Sequence, residues 1–182
     1  SLPMSTSWKI PERLETGRLV LTRFQPQDAE EIFYTYASKP ECTRFMAWPT
    51  HESIKDTRAY LTRTARGWRQ GLDFSFSIRL KTTYRLIGAC GFLNDGGRTQ
   101  VGYILGSLFW NQGYATEAAG RLVELLRQVP EVVSIGTFVD AENRASIRVL
   151  EKIGLEAEAV AEFVFPNQGN KPRACVIFKW KK

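Results

Sequence analysis

The sequence predicts an α/β domain: a mixed, mostly antiparallel central sheet flanked by helices, with one strand–helix–strand crossover. Three observations predict it. Between Phe74 and Leu105, apolar and polar residues alternate in short segments separated by turn signals, as in strands joined by hairpins. From Thr99 to Val139 the pattern changes to strand, helix, strand, and a helix between two strands returns the chain as a crossover. The 182 residues, 43% of them hydrophobic, suffice for one well-buried core. Hairpins fused to a single crossover make a mixed sheet.

Taken in order, residues 1–12 are polar and punctuated by proline, and read as an N-terminal arm ahead of a single domain over 13–182. Ser1, Leu2 and Pro3 precede Met4 and read as an expression remnant, with Met4 the natural start. Thr16 to Phe24 alternate as a half-buried strand should. Pro26, Gln27 and Asp28 open a helix whose buried stripe is Ala29, Ile32, Phe33 and Tyr36, and Pro40 ends it. An aromatic loop with Phe45, Trp48 and His51 follows; such loops line clefts or pack on the core. Ser53 and Asp56 have the spacing of a capping box for a second helix to about Gln70, with Tyr60, Leu61, Thr64 and Trp68 near one face.

Strands are expected at 74–80, 86–93 and 99–105, with the Gly96-Gly97 pair turning the chain between the last two. Ala115, Ala118, Ala119, Leu122 and Leu126 then recur at helical spacing up to Pro130. A buried strand at 132–139 and a short helix at 143–153 follow, the helix stopped by Gly154 in a left-handed conformation. Residues 162–165 and 175–180 read as two closing strands.

Composition excludes several classes. The hydrophobic, charged and glycine fractions are those of a globular chain, not a disordered one. No run of about 18 apolar residues occurs and no signal peptide opens the chain, so no membrane partner is expected. Cys42, Cys90 and Cys175 are odd in number and lack Cys-x-x-Cys spacing, which argues against disulfide staples and a zinc site. No metal is expected, and the compartment reads as reducing, most simply a cytoplasm. The net charge of +6 suits an anionic ligand or partner. Lys55, Arg58, Arg63, Arg66 and Arg69 face only Asp56, and read as a solvated helix face. With no zinc-finger spacing and no RNP-type aromatic motif, nucleic acid is not an expected partner.

The chemistry concentrates where the strand Val101 to Leu105 meets the next helix. Gly113 precedes that helix, and a glycine lets a ligand approach bare backbone. The first turn of a helix has unpaired N–H groups and partial positive charge, so the place is an anion site, and a pyrophosphate fits it. Gln112-Gly113-Tyr114-Ala115-Thr116-Glu117-Ala118 resembles the acetyl-CoA pyrophosphate loop of the GNAT superfamily of N-acetyltransferases, with Trp110 where the family usually has Arg or Gln. Thr16-Gly17-Arg18-Leu19-Val20-Leu21 is similar to the opening of the branch that acetylates the N-termini of ribosomal proteins. A third block, Asn143, Ser146, Leu150, Lys152 and Gly154, is similar to the family's Asn-x-x-Ser segment, with Leu155 for the usual Phe. The order of elements also matches the GNAT fold from Thr16 onward.

The resemblance implies acetyl-CoA as co-substrate and a primary amine as acceptor, in a monomer or homodimer. It implies that Trp110, Gln112, Gly113, Tyr114, Ala115 and Thr116 hold the pyrophosphate. It implies further that the strand Val101, Tyr103, Ile104, Leu105 splays from its neighbour and offers backbone groups to the pantetheine arm and acetyl carbonyl. Asn143 would then bind that arm, and Ser146 would lie near the thioester sulfur and assist the departing thiolate. Read from the residues alone, Asn143 is equally an N-cap and Ser146 a helix-start residue.

The proton acceptor is less legible. Related enzymes often carry Glu where this chain has Gln100, and Gln accepts no proton; many carry a Tyr where Leu150 stands. His51, the single histidine, is the candidate base, against the alternative of a solvated loop residue. An α-amine with pKa near 8 needs about 1 kcal/mol to be neutral at pH 7, whereas a lysine amine needs about 4.6 kcal/mol. A site without a strong base therefore suits a peptide N-terminus. A small-molecule amine is the second reading, and a non-catalytic acyl-CoA- or nucleic-acid-binding module the third.

Overall fold

The computed structural model describes residues 8–182. The expected remnant and start at Met4 fall outside them. Eight strands form one sheet in the order β1-β2-β3-β4-β5-β6-β8-β7. The strands are β1 (Arg13–Glu15), β2 (Leu19–Arg23), β3 (Asp73–Leu80), β4 (Leu86–Asp95), β5 (Arg98–Leu105), β6 (Ser134–Asp140), β7 (Glu156–Val164) and β8 (Pro172–Lys181). Every neighbouring pair is antiparallel except β5 and β6, which the crossover helix makes parallel. The predicted mixed α/β sheet is therefore the observed one.

The expected strand at 16–24 is two strands. Thr16 Oγ1 accepts from the Leu19 N–H at 2.9 Å, which turns the chain at 16–18 and folds β1 back on β2. The expected arm also differs from the observed one. Ile10 is 9% exposed in the core, and Trp8 stacks on Phe74 at 6.3 Å, because burying two large apolar side chains outweighs ordering a short segment.

After a short turn at Pro26–Asp28, α1 (Ala29–Ile32) widens into a π-helical segment, Phe33–Ala37. The wider turn shifts the phase of the face. Tyr36 and Ala37 are fully buried while Phe33 rotates to partial exposure, which a uniform 3.6-residue period does not foresee. Pro40 does not end this helix. It starts the single turn α2 (Pro40–Thr43), where a proline at the first position loses no hydrogen bond. Arg79, 7% exposed, fixes α1 to the sheet by donating to Asp28 and Glu31, each at 2.9 Å, and to the Tyr84 carbonyl at 2.8 Å.

The second long helix, α3 (Ile54–Gln70), begins at the expected capping box. The Asp56 carboxylate accepts from the N–H groups of Glu52 and Ser53, and those two bonds hold it below the usual carboxylate range. Leu61 and Trp68 are buried, and Lys55, Arg58, Arg63, Arg66 and Arg69 are all exposed, so the basic run is a solvent face. Among the described residues no helix is long and apolar enough to cross a membrane.

The hairpin between β4 and β5 turns at Gly96 (φ 59°) and Gly97 (φ 92°). A Cβ on Gly97 would stand 2.3 Å from the Glu131 carbonyl oxygen, so only glycine lets the chain after the crossover pack there. The crossover helix α4 (Tyr114–Gln128) buries Ala118, Ala119, Leu122, Val123 and Leu126 on the sheet, and α5 (Arg144–Lys152) follows β6. Gly154, at φ 93°, is left-handed as expected. β7 is longer than the closing strand expected from sequence. Nearly all of it is exposed, so alternation could not mark its start.

Candidate functional site

The sheet opens between β5 and β6. Their parallel pairing runs over three pairs only, Arg98 with Ser134, Thr99 with Ile135 and Gln100 with Gly136. The Thr99 hydroxyl closes this end by donating to the Ser134 carbonyl at 2.8 Å. Beyond Gln100 each strand stays paired on its outer side: β5 with β4 as far as Leu105, β6 with β8 as far as Asp140. Inside the resulting V, the backbone groups of 101–105 and 137–140 that face each other have no ladder partner among the described residues. A polar backbone edge of that kind either meets water or pairs with an extended ligand. Val101 and Leu105 belong to the core cluster that contains α4, whereas Ile104 joins the cluster that contains Ile32 and Tyr36 of the α1 segment. The opening is thus reached from two faces, one lined by α4 and α5, the other by the first helices.

At the end of β5, Gly106 and a short turn (Ser107–Phe109) lead to the loop before α4. Trp110 stands at the position expected to hold an Arg or Gln, and what it does there is structural. Its indole N–H donates to the Leu105 carbonyl at 3.1 Å and clamps the loop to the strand. Asn111 (φ 60°) and Gly113 (φ 81°) are both left-handed. Turns of this kind direct successive N–H groups to one side and form anion-binding concavities. The first helical hydrogen bond runs from the Glu117 N–H to the Gly113 carbonyl. The donors of Tyr114, Ala115 and Thr116 therefore lie free at the positive end of a 15-residue helix. Gln112 turns its side chain back, donating to the Leu108 carbonyl at 3.2 Å.

The start of α4 is held from the far end of the chain. Glu117 accepts from Arg18 through its N–H and its Nε, each at 2.8 Å, and from the Thr16 hydroxyl. Burial raises the Glu117 pKa, but these hydrogen bonds outweigh it and leave the carboxyl below its ordinary value. The Arg18 guanidinium lies over the Tyr114 ring, 4.2 Å from its centroid, beside Gly113.

The other wall is the start of α5. The turn from β6 is pinned by Asp140, which accepts from the Glu142 N–H at 2.9 Å and pairs with Arg173 of β8. Burial pushes the Asp140 carboxyl up, but the bonds from Arg173 and Glu142 hold it below the usual range. Asn143 is the N-cap of α5: its Oδ1 accepts from the Ser146 N–H at 3.3 Å, and among the described residues its amide NH2 makes no hydrogen bond. Ser146 is half-buried, and its hydroxyl is in hydrogen-bond contact with that of Tyr103, which reaches across from β5. Burial pushes the Tyr103 hydroxyl up to about 12, with the Ser146 bond acting against it.

The structure thus brings Val101, Tyr103, Ile104, Leu105, the 110–116 loop, Asn143 and Ser146 around one opening. His51 stands in the segment just before α3. His51 is 7% exposed, with Nδ1 2.8 Å from the Thr57 hydroxyl and its ring against Trp48 (5.0 Å) and Tyr60 (5.8 Å). The expected solvated loop histidine is instead a packed one, because the loop folds onto α3, and burial lowers its pKa. Among the described residues it makes no hydrogen bond to Tyr103 or Ser146. Sequence reasoning also missed Asn167. Its side chain accepts from the Thr50 N–H at 3.0 Å and donates to the carbonyls of Thr43 and Trp48 at 2.9 and 3.0 Å. It ties the turn between β7 and β8 to the segment after α2, more than a hundred residues away.

Comparison with known proteins bears on the family and the fold. The family model described as the acetyltransferase (GNAT) domain matches residues 18–156. The uncharacterised N-acetyltransferase p20 of Bacillus licheniformis is 30% identical over 152 residues, 82% of this chain and 85% of that protein. Among solved structures, a ribosomal L7/L12 α-N-protein acetyltransferase in complex with coenzyme A superposes with a TM-score of 0.83 at 14% identity, over 93% of this chain and 98% of its own. The ribosomal-protein-S5-alanine acetyltransferase of Vibrio fischeri gives a TM-score of 0.80 at 16% identity, over 93% and 96% of the two chains.

Proposed function

Because the chain belongs to the GNAT acetyltransferase family, we propose that this N-acetyltransferase moves the acetyl group of acetyl-CoA onto the α-amine of a protein or peptide N-terminus. The donor fits the residues present. A pyrophosphate suits the free N–H groups at 114–116 and the bare backbone of Gly113, and a pantetheine arm suits the unpaired edge of 101–105. In this reading Trp110 and Gln112 shape the loop, the free amide of Asn143 bonds the arm, and Ser146 stands beside the thioester.

Acetyl-CoA supplies an acyl thioester whose carbonyl carbon is the electrophile. The protein holds that carbon and the amine in line and places a backbone N–H of β5 on the developing oxyanion. The acceptor enters from the face of the first helices, opposite α4 and α5. Gln100 carries the choice of acceptor. It is the last residue of β5 paired with β6, at the throat of the opening, and an amide there takes no proton. His51, the other candidate base, is packed away. A site so furnished favours an amine that is cheap to deprotonate near pH 7, and an α-amine with a pKa near 8 needs only about 1 kcal/mol. The ribosomal L7/L12 α-N-protein acetyltransferase and the ribosomal-protein-S5-alanine acetyltransferase, which share the fold, are consistent with that acceptor.

The test is coenzyme A release with two matched pools: peptides with free N-termini and no lysine, and small amines including polyamines and aminoglycosides. Peptides are expected to turn over, and N-terminal blocking to abolish the signal. A preference for small amines of more than about tenfold in kcat/KM moves the acceptor to the second class.

A further inference from the structure

Tyr103 and Ser146 come from opposite walls of the opening, one from β5 and the other from the first turn of α5, and their hydroxyls meet. We propose that Tyr103 is a positioning residue: it donates to Ser146 Oγ and so leaves the Ser146 O–H as the donor facing the sulfur of the departing coenzyme A. The proposal rests on the reading that the opening takes acetyl-CoA with Ser146 beside its thioester.

The direction of the bond follows from the two groups. A phenol is the stronger donor and an aliphatic hydroxyl the better acceptor, so the shared proton belongs to Tyr103. A helical serine can spend its own proton on the carbonyl one turn back, but Ser146 stands in the first turn of α5, and among the described residues the Tyr103 hydroxyl is the only partner of its own hydroxyl. Its proton is therefore uncommitted, and Ser146 is half-buried rather than sealed. The Tyr103 hydroxyl also lies 3.4 Å from the Ser146 carbonyl oxygen, which keeps the phenol at the helix rather than in the opening.

Tyr103 does not itself give up a proton. Burial pushes its hydroxyl up to about 12, whereas a thiol ionises near 8.5, so transfer from the phenol to a thiolate runs uphill. Its part is orientation. The amine nitrogen forms the C–N bond with its lone pair; the C–S bond then breaks with its electrons on sulfur. The proton shed by the nitrogen passes to water and balances the thiolate. The Ser146 O–H hydrogen-bonds that sulfur as the charge develops, which helps the transition state more than the bound substrate. Leu150, one turn along α5, is 1% exposed in the core, so the helix offers no second hydroxyl there.

The experiment is a four-way comparison of wild type, Tyr103→Phe, Ser146→Ala and the double variant. Each is read for kcat, acetyl-CoA KM, calorimetric CoA affinity and melting temperature. Tyr103→Phe is expected to lower kcat roughly 5- to 50-fold, the span of one hydrogen bond that strengthens with charge, with CoA affinity and melting unchanged. Ser146→Ala is expected to lose at least as much, and the double variant no more than Ser146→Ala alone. Losses that multiply, an unchanged kcat in Tyr103→Phe, or a loss seen in CoA affinity instead of kcat each overturn the proposal. If no amine is acetylated, the acceptor reading fails alone, and slow acetyl-CoA hydrolysis carries the same comparison. A wild type that binds no CoA overturns the site and this proposal together.

Discussion

Glu117 holds Arg18 by two hydrogen bonds of 2.8 Å across 99 positions of sequence. The pair ties the β1–β2 turn to the first turn of α4 and presents the guanidinium to Tyr114 and Gly113. A carboxylate in that first turn also complements the helix dipole. The cation beside the anion loop is therefore partly neutralised by a partner that also fixes its place.

Glu117→Gln should consequently lower stability by about 1–2 kcal/mol, the worth of bonds to a charged group reduced by the half-exposed Arg18. The sign with pH follows from the lowered carboxyl. The wild-type advantage is full above the ordinary glutamate value of about 4.3 and fades as pH falls through the lower folded value. Urea midpoints of both proteins between pH 7 and pH 3 check this. A gap that stays constant over that range contradicts it.

Gly113→Val should weaken CoA binding by at least tenfold while the fold survives. Its φ of 81° is strained for any side chain, at about 1–3 kcal/mol, and a branched one also fills the space of the pyrophosphate. Gly113→Ala shares the strain but not the bulk, and should lose less affinity. Titration calorimetry with CoA decides; equal affinity in Gly113→Val and wild type removes the loop from the cofactor site.

His51→Ala separates packing from proton transfer. Loss of the ring between Trp48 and Tyr60 and of the Thr57 contact should cost about 2–4 kcal/mol. Burial depresses the His51 pKa, so its contribution to stability is present above about 6.5 and is lost as pH falls toward the folded value. The limb of the kcat/KM profile should remain in the variant and follow the acceptor amine's own pKa. A limb below pH 6.5 in the wild type that vanishes in the variant makes His51 the base.

The strands of the 73–105 meander, the capping box at Ser53 and Asp56, the left-handed Gly154 and the N-cap at Asn143 were all legible. Each is a preference of a few neighbouring residues: alternation, a carboxylate three positions from its donor, a backbone that only glycine enters freely. The π-helical turn at Phe33–Ala37 was not, because its phase is set by what the helix packs on. The burial of Ile10 and the stacking of Trp8 on Phe74 were hidden for the same reason.

Sequence by itself thus determined most of the strands and long helices and where the Gly113 loop and the Asn143–Ser146 block stand, since those depend on contacts within about a turn. Only the tertiary structure decided that β5 and β6 part after Gln100, that Tyr103 meets Ser146, that Arg18 serves Glu117 and that His51 is packed on Thr57. Three of these four arise where segments far apart in the chain are brought together, so no periodicity records them. His51 and Thr57 are six positions apart, yet the ring is buried only because the whole loop folds back on α3 among Trp48 and Tyr60. A hydrogen bond between two walls of a site exists only once the core has placed both.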